Sequence, residues 1–398
     1  MSTDRSLGID LGRHRAYAVS GDGEVTTVLP MQADHNGLVF RWLAPTGVER
    51  VLDCLQSLPP SQAMHVANQT CGMVADRIKA IDPKLLNNRV RVAVPVNVCP
   101  SAHRHLVAGF KNSDVAPTHN DLVERPIATL ASWLRERRAN GQETEQPILV
   151  LDNDAGQISA VVADPSQQRL LAIAELTPGP SENTGQVLHS LQSLLARASH
   201  VSANFGVNPL QDPQKLNPSP ENIVINKVLL SGTTIDHPAI DHLLDETAPE
   251  AKVWGRNRSD SEMVVSFGLL HTDELAGWTC PWPTGYVVVD NKVALEPGTI
   301  PLLSTNTPTR KLASTSVDSS RVLRLTDAEG QPSPIMVSGE KGIGLRIPSS
   351  LGSSIKIHPG SDGRLTILGE TDAEPLAIQP YWPVSGTSTN AVSVKILI

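Results

Sequence analysis

Aromatic residues are scarce in this sequence, at 3% of its 398 positions, and the 33 Lys and Arg are outnumbered by 41 Asp and Glu. The formal net charge is therefore -8. Proteins that hold nucleic acid in cationic grooves and on stacking rings need an excess of both basic and aromatic side chains. The composition argues against a nucleic-acid partner.

Cysteine is also rare, and its four positions contain no C-x-x-C pair, which excludes both a disulfide framework and a zinc ribbon as the basis of the fold. We expect all four to be reduced residues of the core. They are Cys54, Cys71, Cys99 and Cys280.

Long apolar runs are absent as well. No stretch approaches the roughly 18 apolar residues that a membrane helix needs, and the first residues lack the basic and apolar regions of a secretion signal. These absences predict a cytoplasmic protein with no membrane partner.

The chain is long enough for two or three domains, at roughly 100 to 200 residues each. Short apolar runs alternate with helical stretches up to about residue 270, which is the pattern of an α/β domain. Beyond residue 283, short β-branched segments alternate with Gly, Pro, Asn and Ser turns, which indicates a β-rich domain. The predicted boundaries are 1–275 for the α/β domain, with lobe I at about 1–146 and lobe II at about 147–275, then 276–283 for a stiff linker and 284–398 for the β-rich domain.

An apolar strand that carries an acid, followed by a glycine turn and a return strand, occurs twice in the α/β domain, once in each half. The first strand, at 6–12, contains Asp10, and the second, at 147–156, contains Asp152. Two similar hairpins predict two related lobes.

Further elements follow from apolar spacing and from capping residues. The final helix contains Gly268 at a position where two backbones could approach closely. The predicted elements are a strand at 89–96, a helix at 101–110, a helix beginning near Pro126, a helix at 185–200, a strand entering a turn at 227–234, a helix at 238–244 and a buried helix at 264–270.

These motifs, in this order, resemble the nucleotide-binding domain of the actin-like ATPase superfamily, and most closely the seventy-kilodalton heat-shock chaperones. The resemblance covers positions 1–275 and implies a two-lobed, ribonuclease-H-like ATPase fold followed by an all-β domain. This β domain occupies the position of the family's substrate-binding β-sandwich, but it lacks the family's helical lid. The motifs are G-I-D-L-G at 8–12, V-P-V at 94–96 with the following helix, E-R-P-I-A-T-L at 124–130, the turn at 152–156, L-S-G-T-T at 230–234 and the closing helix at 264–270.

The resemblance implies that ATP or ADP binds with Mg²⁺ between the lobes. It places Asp10 and Asp152 at the metal, with Asp152 also catalytic, and Glu124 at the water that attacks the phosphate. Each of these acids could instead be a solvated acid at a strand end. The implied nucleotide contacts are Gly12, Arg13, Arg15, Gly156, Arg197, Ser199, Gly232 and Thr233.

Several residues depart from the family pattern. Arg13, His14 and Arg15 replace small hydroxyl residues, and the two arginines could either grip phosphates or be loop charges. Asp154 puts negative charge where a backbone should approach a polyanion, and Ser159 replaces a later acid. No lysine matches the family's catalytic lysine, and lobe II is too short for the subdomain that covers adenine. Arg197 could equally be an ordinary exposed helix residue.

Two functions fit these patterns. The first is a chaperone-like protein that binds ATP and Mg²⁺, hydrolyses ATP slowly and couples this to a β-rich domain that binds a client peptide or partner protein, with a co-chaperone as a further partner. The alternative, favoured by the departures, is a degenerate, non-catalytic scaffold, a pseudo-ATPase that acts in protein-protein interaction. A filament-forming protein fits less well, because its lattice would have to accommodate the β-rich domain.

Overall fold

A computed structural model describes most of the chain in segments. The described residues are 6–11, 16–21, 26–29, 55, 58–87, 89–96, 100–115, 117, 121–141, 146–154, 157–176, 184–203, 215, 217, 220–232, 238–255, 263–282, 286–289, 292–295, 298–301, 313–316, 322–326, 332–333, 335–337, 340–352, 354–359, 365–369, 376–380 and 396–397.

The chain forms two compact units, which we call unit one and unit two. It enters unit two for the last time at Gly277, and Thr279–Trp282, inside the segment predicted to be a linker, form a β-strand. Unit one consists of Met1–Gln168, Ala174–Gln192 and Val224–Ala276, and unit two of Arg169–Ile173, Ser193–Ile223 and Gly277–Ile398.

Strands and helices alternate as far as Ala276, and β8 and α4 each contain residues of both units. The strands are β1 Ser6–Leu11, β2 Ala16–Gly21, β3 Thr26–Leu29, β4 Arg89–Val94, β5 Leu122–Glu124, β6 Ile148–Asp154, β7 Gln157–Asp164, β8 Arg169–Glu175, β9 Lys227–Gly232 and β10 Lys252–Trp254. The helices are α1 Pro60–Ile81, α2 Pro100–Lys111, α3 Arg125–Ala139, α4 Thr184–Ala203, α5 Pro238–Thr247 and α6 Val264–Leu270.

The first sheet of unit one has the strand order β3-β2-β1-β4-β5. β1 is antiparallel to β2, and β2 to β3, whereas β1, β4 and β5 run parallel. Leu7 and Ile9 are fully buried, as expected for a parallel strand covered on both faces. The carboxyl ends of the three parallel strands share one edge, where Asp10 and Glu124 lie.

The second sheet repeats this connectivity. Within unit one its order is β10-β9-β6-β7, and the carboxyl end of β8 follows β7, since the N–H of Leu176 donates to the carbonyl of Ile158 at 2.8 Å. β6 and β7 are antiparallel, and β6, β9 and β10 are parallel. Both predicted hairpins are confirmed, and Asp152 lies near the end of β6 as Asp10 does in β1.

Helices α1 and α2 pack together over the first sheet. The two helices approach closely at Gly109, where an added Cβ would lie only 2.8 Å from the carbonyl of Ala67. Cys71 is buried in this core as a free thiol, as predicted, together with Leu106 and Phe110.

Helices α3 and α6 cross where Gly268 meets Ala128. A Cβ at Gly268 would lie 1.7 Å from the Ala128 carbonyl oxygen, so only glycine fits at the crossing. The predicted close approach at Gly268 is thereby confirmed. Because α6 packs on β1 and α3 packs on β6, this helix pair lies against both sheets of unit one.

Unit two is built mainly from short strands, and its described residues from Gly277 onward contain no α-helix. One sheet has the order β13-β12-β16-β20-β24 and another β15-β21-β22-β23-β18-β19, with residues of both in one core that includes Leu323 and Ile355. The strands are β11 Thr279–Trp282, β12 Tyr286–Val289, β13 Lys292–Leu295, β14 Gly298–Pro301, β15 Ala313–Ser316, β16 Val322–Thr326, β17 Pro332–Ser333, β18 Ile335–Val337, β19 Glu340–Gly342, β20 Gly344–Arg346, β21 Ser354–Pro359, β22 Leu365–Gly369, β23 Leu376–Pro380 and β24 Ile396–Leu397.

With these helices and mixed sheets the protein belongs to the α/β class. None of the helices in the described part of the chain combines the length and the apolar character required to cross a membrane.

Candidate functional site

The candidate site lies where β1, β6 and β9 approach the first turn of α3. This helix begins directly after β5, because Glu124 has an extended backbone, with φ -63° and ψ 135°, and Pro126 is favourable in a first turn. Arg125 is consequently the first helical residue. Its side chain is buried, with a relative exposure of 3%.

Arg125 binds both of the aspartates that the sequence predicts at a metal. Its Nε donates to Oδ2 of Asp152 at 2.7 Å, and its Nη2 lies 3.3 Å from Oδ1 of the same carboxylate. Its Nη1 donates to Oδ1 of Asp10. Both carboxylates are almost completely buried, so the ion pairs are shielded from water.

Two hydroxyls extend this network. Ser231 lies beside Asp152 because β6 and β9 pair in parallel with these residues in register. The Ser231 hydroxyl donates to Oδ1 of Asp152 at 2.7 Å and accepts from the Thr129 hydroxyl of α3, also at 2.7 Å. We call Asp10, Arg125, Asp152 and Ser231 the Asp-Arg cluster; it joins β1 of the first sheet to β6 and β9 of the second.

Burial raises the pKa of the Asp10 carboxyl to about 7, from an ordinary value of 3.8. The Arg125 charge lowers that pKa, whereas Asp154 and Asp152 raise it further. Burial also lowers the pKa of the Arg125 guanidinium, but the three aspartates outweigh burial and hold it well above its usual value. Arg125 therefore stays charged at neutral pH, and Asp10 is the group that titrates.

A carboxyl with such a displaced pKa is typical of active sites and also of buried ion-pair networks. The described charged groups that displace the pKa of Asp10 are Arg125, Asp152 and Asp154, all side chains of this chain. The arrangement is an internal ion-pair network that fastens strands to a helix.

The cluster does not fit a magnesium ion. Oδ1 of Asp10 and both oxygens of Asp152 already accept hydrogen bonds from Arg125, and Oδ1 of Asp152 accepts a second from Ser231. Mg²⁺ needs close octahedral oxygen ligands, and here it would stand next to a guanidinium charge. Among the residues that the structure describes, no group of three or more His, Cys, Asp or Glu could hold a metal.

Gly232 and Glu124 lie near the same strand ends. Gly232 has φ 106°, and a Cβ there would lie 2.2 Å from the carbonyl oxygen of Asn153, so this last residue of β9 has to be glycine. Glu124 is half-buried at the end of β5, paired in register with Val94 of β4.

Arg197 and Ser199 belong to unit two, on the second half of α4. Arg197 is half-buried. The Ser199 hydroxyl donates to the carbonyl of Leu195 at 2.9 Å and accepts from the N–H of Ile223 at 2.8 Å. Both bonds are structural, because the first lies within α4 and the second joins α4 to the segment that precedes β9.

The remaining predicted nucleotide contacts lie outside the described residues. They are Gly12, Arg13, Arg15, Gly156 and Thr233.

Sequence reasoning missed the central member of the cluster. In the sequence, Arg125 is recognised only as part of a motif, and neither Thr129 nor Ser231 is predicted to contact Asp10 or Asp152. A signal was present: Arg125 opens a segment that is apolar apart from Thr129 and Ser132 up to Leu134. An arginine that begins a buried helix needs carboxylate partners.

Comparison with known proteins does not assign the chain to a family. The chain matches no protein-family model, and no curated protein is significantly similar to it.

Proposed function

We propose that the chain is a non-catalytic scaffold, a pseudo-ATPase of two-lobed actin-like fold that acts in protein-protein interaction. The observation that carries this proposal is the position of Arg125, bonded to both Asp10 and Asp152. The two acids on which a Mg-ATP site would depend are both bonded to a cation of the chain itself. The cluster then holds the two lobes together without a ligand.

The duplicated sheet supports the actin-like part of the proposal. Both sheets contain an antiparallel hairpin followed by two further parallel strands, and the acid of each hairpin lies at an equivalent place. The crossing of α3 and α6 at Gly268 supplies a helix pair against both sheets. These features agree with the order of motifs that resembles the seventy-kilodalton heat-shock chaperones.

The β-rich domain is proposed to engage the client peptide or partner protein. Support comes from the two strand-built sheets of unit two and their shared core. Antiparallel sheets of this kind can accept an extended segment at an edge. The cytoplasmic location and the co-chaperone stay predictions.

Isothermal titration of the full chain with ATP, with and without Mg²⁺, tests the scaffold. We expect no heat of binding and no thermal shift from ATP or from Mg²⁺ alone. A ligand at about a hundred times its Kd stabilises a folded protein by roughly 2.7 kcal/mol, so a shift would be visible. Saturable, magnesium-dependent binding would overturn the proposal.

The second candidate is the chaperone-like protein that binds ATP and Mg²⁺ and hydrolyses ATP slowly. Asp10 and Asp152 favour it, because both lie near the carboxyl ends of matching strands, and so does Gly232, with its positive φ at the end of β9. For this function Arg125 would have to leave the acids. If titration detects ATP, Asp10→Asn should abolish the magnesium dependence, and unchanged binding in that variant would exclude Asp10 from the site.

A further inference from the structure

Two cations of unit one lie beside Trp133, and a third is next to one of them. Arg137 of α3 lies with its Cζ 5.5 Å from the centre of the Trp133 ring, and Lys227 at the start of β9 has its Nζ 5.9 Å from that centre. Lys252 at the start of β10 pairs in register with Lys227. The indole itself is buried, so it provides a fixed platform for the two nearer cations.

The three cations repel one another. Burial lowers the pKa of the Lys227 ammonium, and the charges of Arg137 and Lys252 lower it further. This repulsion opposes folding, and the chain as a whole has an acidic excess of eight charges. Glu136, which precedes Arg137 in the chain, accepts a hydrogen bond from the indole of Trp254 at 3.3 Å. A local basic surface on an acidic protein attracts an acidic partner.

The strand beside these cations is the outer strand of its sheet. β10 pairs with β9, and no other strand in the described part of the chain pairs with it. The N–H of Lys252 donates to the carbonyl of Asn226 at 3.0 Å and so faces β9. Because backbone groups alternate along a strand, the N–H and carbonyl of Val253 face away from the sheet.

Apolar side chains are exposed at the same edge. Among described residues only Ile81, Val224 and Val253 are large hydrophobic residues classed as exposed, and two of these lie here. Val253 is on β10, and Val224, 67% exposed, lies two residues before Asn226. The edge therefore offers backbone hydrogen bonds, apolar contacts and positive charge to one extended ligand.

We propose that the β10 edge, with Arg137, Lys227 and Lys252, is a docking surface for an acidic segment of a partner protein, which binds as an added strand. Backbone bonds to Val253 give such a segment its affinity and alignment. The cations select acidic side chains and raise the association rate. The proposal goes beyond the scaffold function, since a nucleotide-binding protein could carry the same surface.

The test uses the full chain and a fluorescent octapeptide of alternating Glu and Val, with binding followed by anisotropy at low and high salt. We expect saturable binding that weakens as salt rises. Lys252→Glu should weaken it at least about tenfold, through charge. Val253→Pro should weaken it comparably, because proline removes the outward N–H yet is tolerated on an edge strand.

Two controls separate the contributions. Lys84→Glu makes the same charge change at an exposed lysine elsewhere in unit one, and it should leave binding unchanged. An octapeptide of alternating Glu and Pro keeps the charge but cannot pair as a strand, and it should not bind.

Three outcomes would overturn the proposal. The first is no binding of the Glu-Val peptide, and the second is equal binding to the wild type and to the Lys252 and Val253 variants. The third is tight binding of inorganic polyphosphate that Val253→Pro leaves unchanged, which would assign the cations to a phosphate ligand. None of these results depends on ATP, so they are distinct from a failure of the scaffold proposal.

Discussion

Arg125 Nε lies 2.7 Å from Oδ2 of Asp152, so the first residue of α3 forms a buried ion pair with the end of β6. The same guanidinium reaches Asp10 of β1. A positive charge that is a covalent part of the chain therefore stands between two acids.

Replacement of Arg125 by Met is expected to lower the free energy of unfolding by about 3–5 kcal/mol, since it leaves two buried carboxylates without their cation. Urea denaturation followed by circular dichroism measures the loss. Arg138→Met is the matched control: Arg138 is on the same helix, 74% exposed and paired with Glu274 at 3.3 Å, and its loss should cost less than about 1 kcal/mol.

A neutral cluster should recover part of that loss. When Arg125→Met is combined with Asp10→Asn and Asp152→Asn, the two carboxylates that Arg125 binds no longer carry a buried charge, so the part of the loss that comes from those two charges should be recovered. If the triple variant were as unstable as Arg125→Met alone, the cost would come from packing around the side chain and not from its charge.

The stability of the wild type relative to Asp10→Asn should depend on pH. The folded pKa of Asp10, about 7, lies above its ordinary 3.8, so between these values the folded state holds a proton that the unfolded state has released. This stabilising contribution is complete below pH 3.8, falls as pH rises from 3.8 to about 7 and is lost above that, by roughly a few kcal/mol in total. Urea midpoints at several pH values measure it, and parallel curves for both proteins would contradict it.

Gly268→Ala should be strongly destabilising, because its Cβ would lie 1.7 Å from a backbone oxygen that cannot move freely. We expect a loss of roughly 3 kcal/mol or more. Gly72→Ala is the matched control in helix α1, where the nearest atom is Ser113 Oγ at 3.7 Å, and alanine there should stabilise by about 0.4–1 kcal/mol. Similar melting temperatures for the two variants would mean that α3 and α6 are less closely packed.

Ser199→Ala should reduce stability without altering any response to ATP. The substitution removes bonds to Leu195 and Ile223, at about 1–2 kcal/mol in total. Ser190→Ala, on the same helix at a half-buried position, provides the comparison. A change in ATP titration on loss of the Ser199 hydroxyl would instead support the nucleotide contact that the family resemblance implies.

Local sequence patterns predict much of the fold of unit one. The helix predicted at 101–110 is confirmed as α2, and that at 185–200 as α4, because capping residues and apolar spacing are local signals. The helix at 264–270 is confirmed with the same bounds. The strand predicted at 89–96 ends at Val94, before Pro95, which cannot donate to a neighbouring strand.

The partners in the candidate site could not be predicted in this way. Asp10 and Asp152 are identified as acids at strand ends, but Asp10 lies 115 positions from Arg125. Only the crossing of α3 over the second sheet brings the guanidinium between them. Ser231 reaches Asp152 through the register of β6 and β9, which is a long-range property that no local window contains.

These separations also bear on the order in which the protein folds. Ser231 and Asp152 are 79 positions apart, so the Asp-Arg cluster closes only after two long loops have lost their freedom. We expect the cluster to be absent from the folding transition state, and Arg125→Met to accelerate unfolding while the refolding rate changes little. Stopped-flow measurements in urea would decide, since a slowed refolding arm would place the cluster in the nucleus. If the refolding rate is unchanged, the buried charges govern how long a native molecule lasts, rather than how quickly one is made.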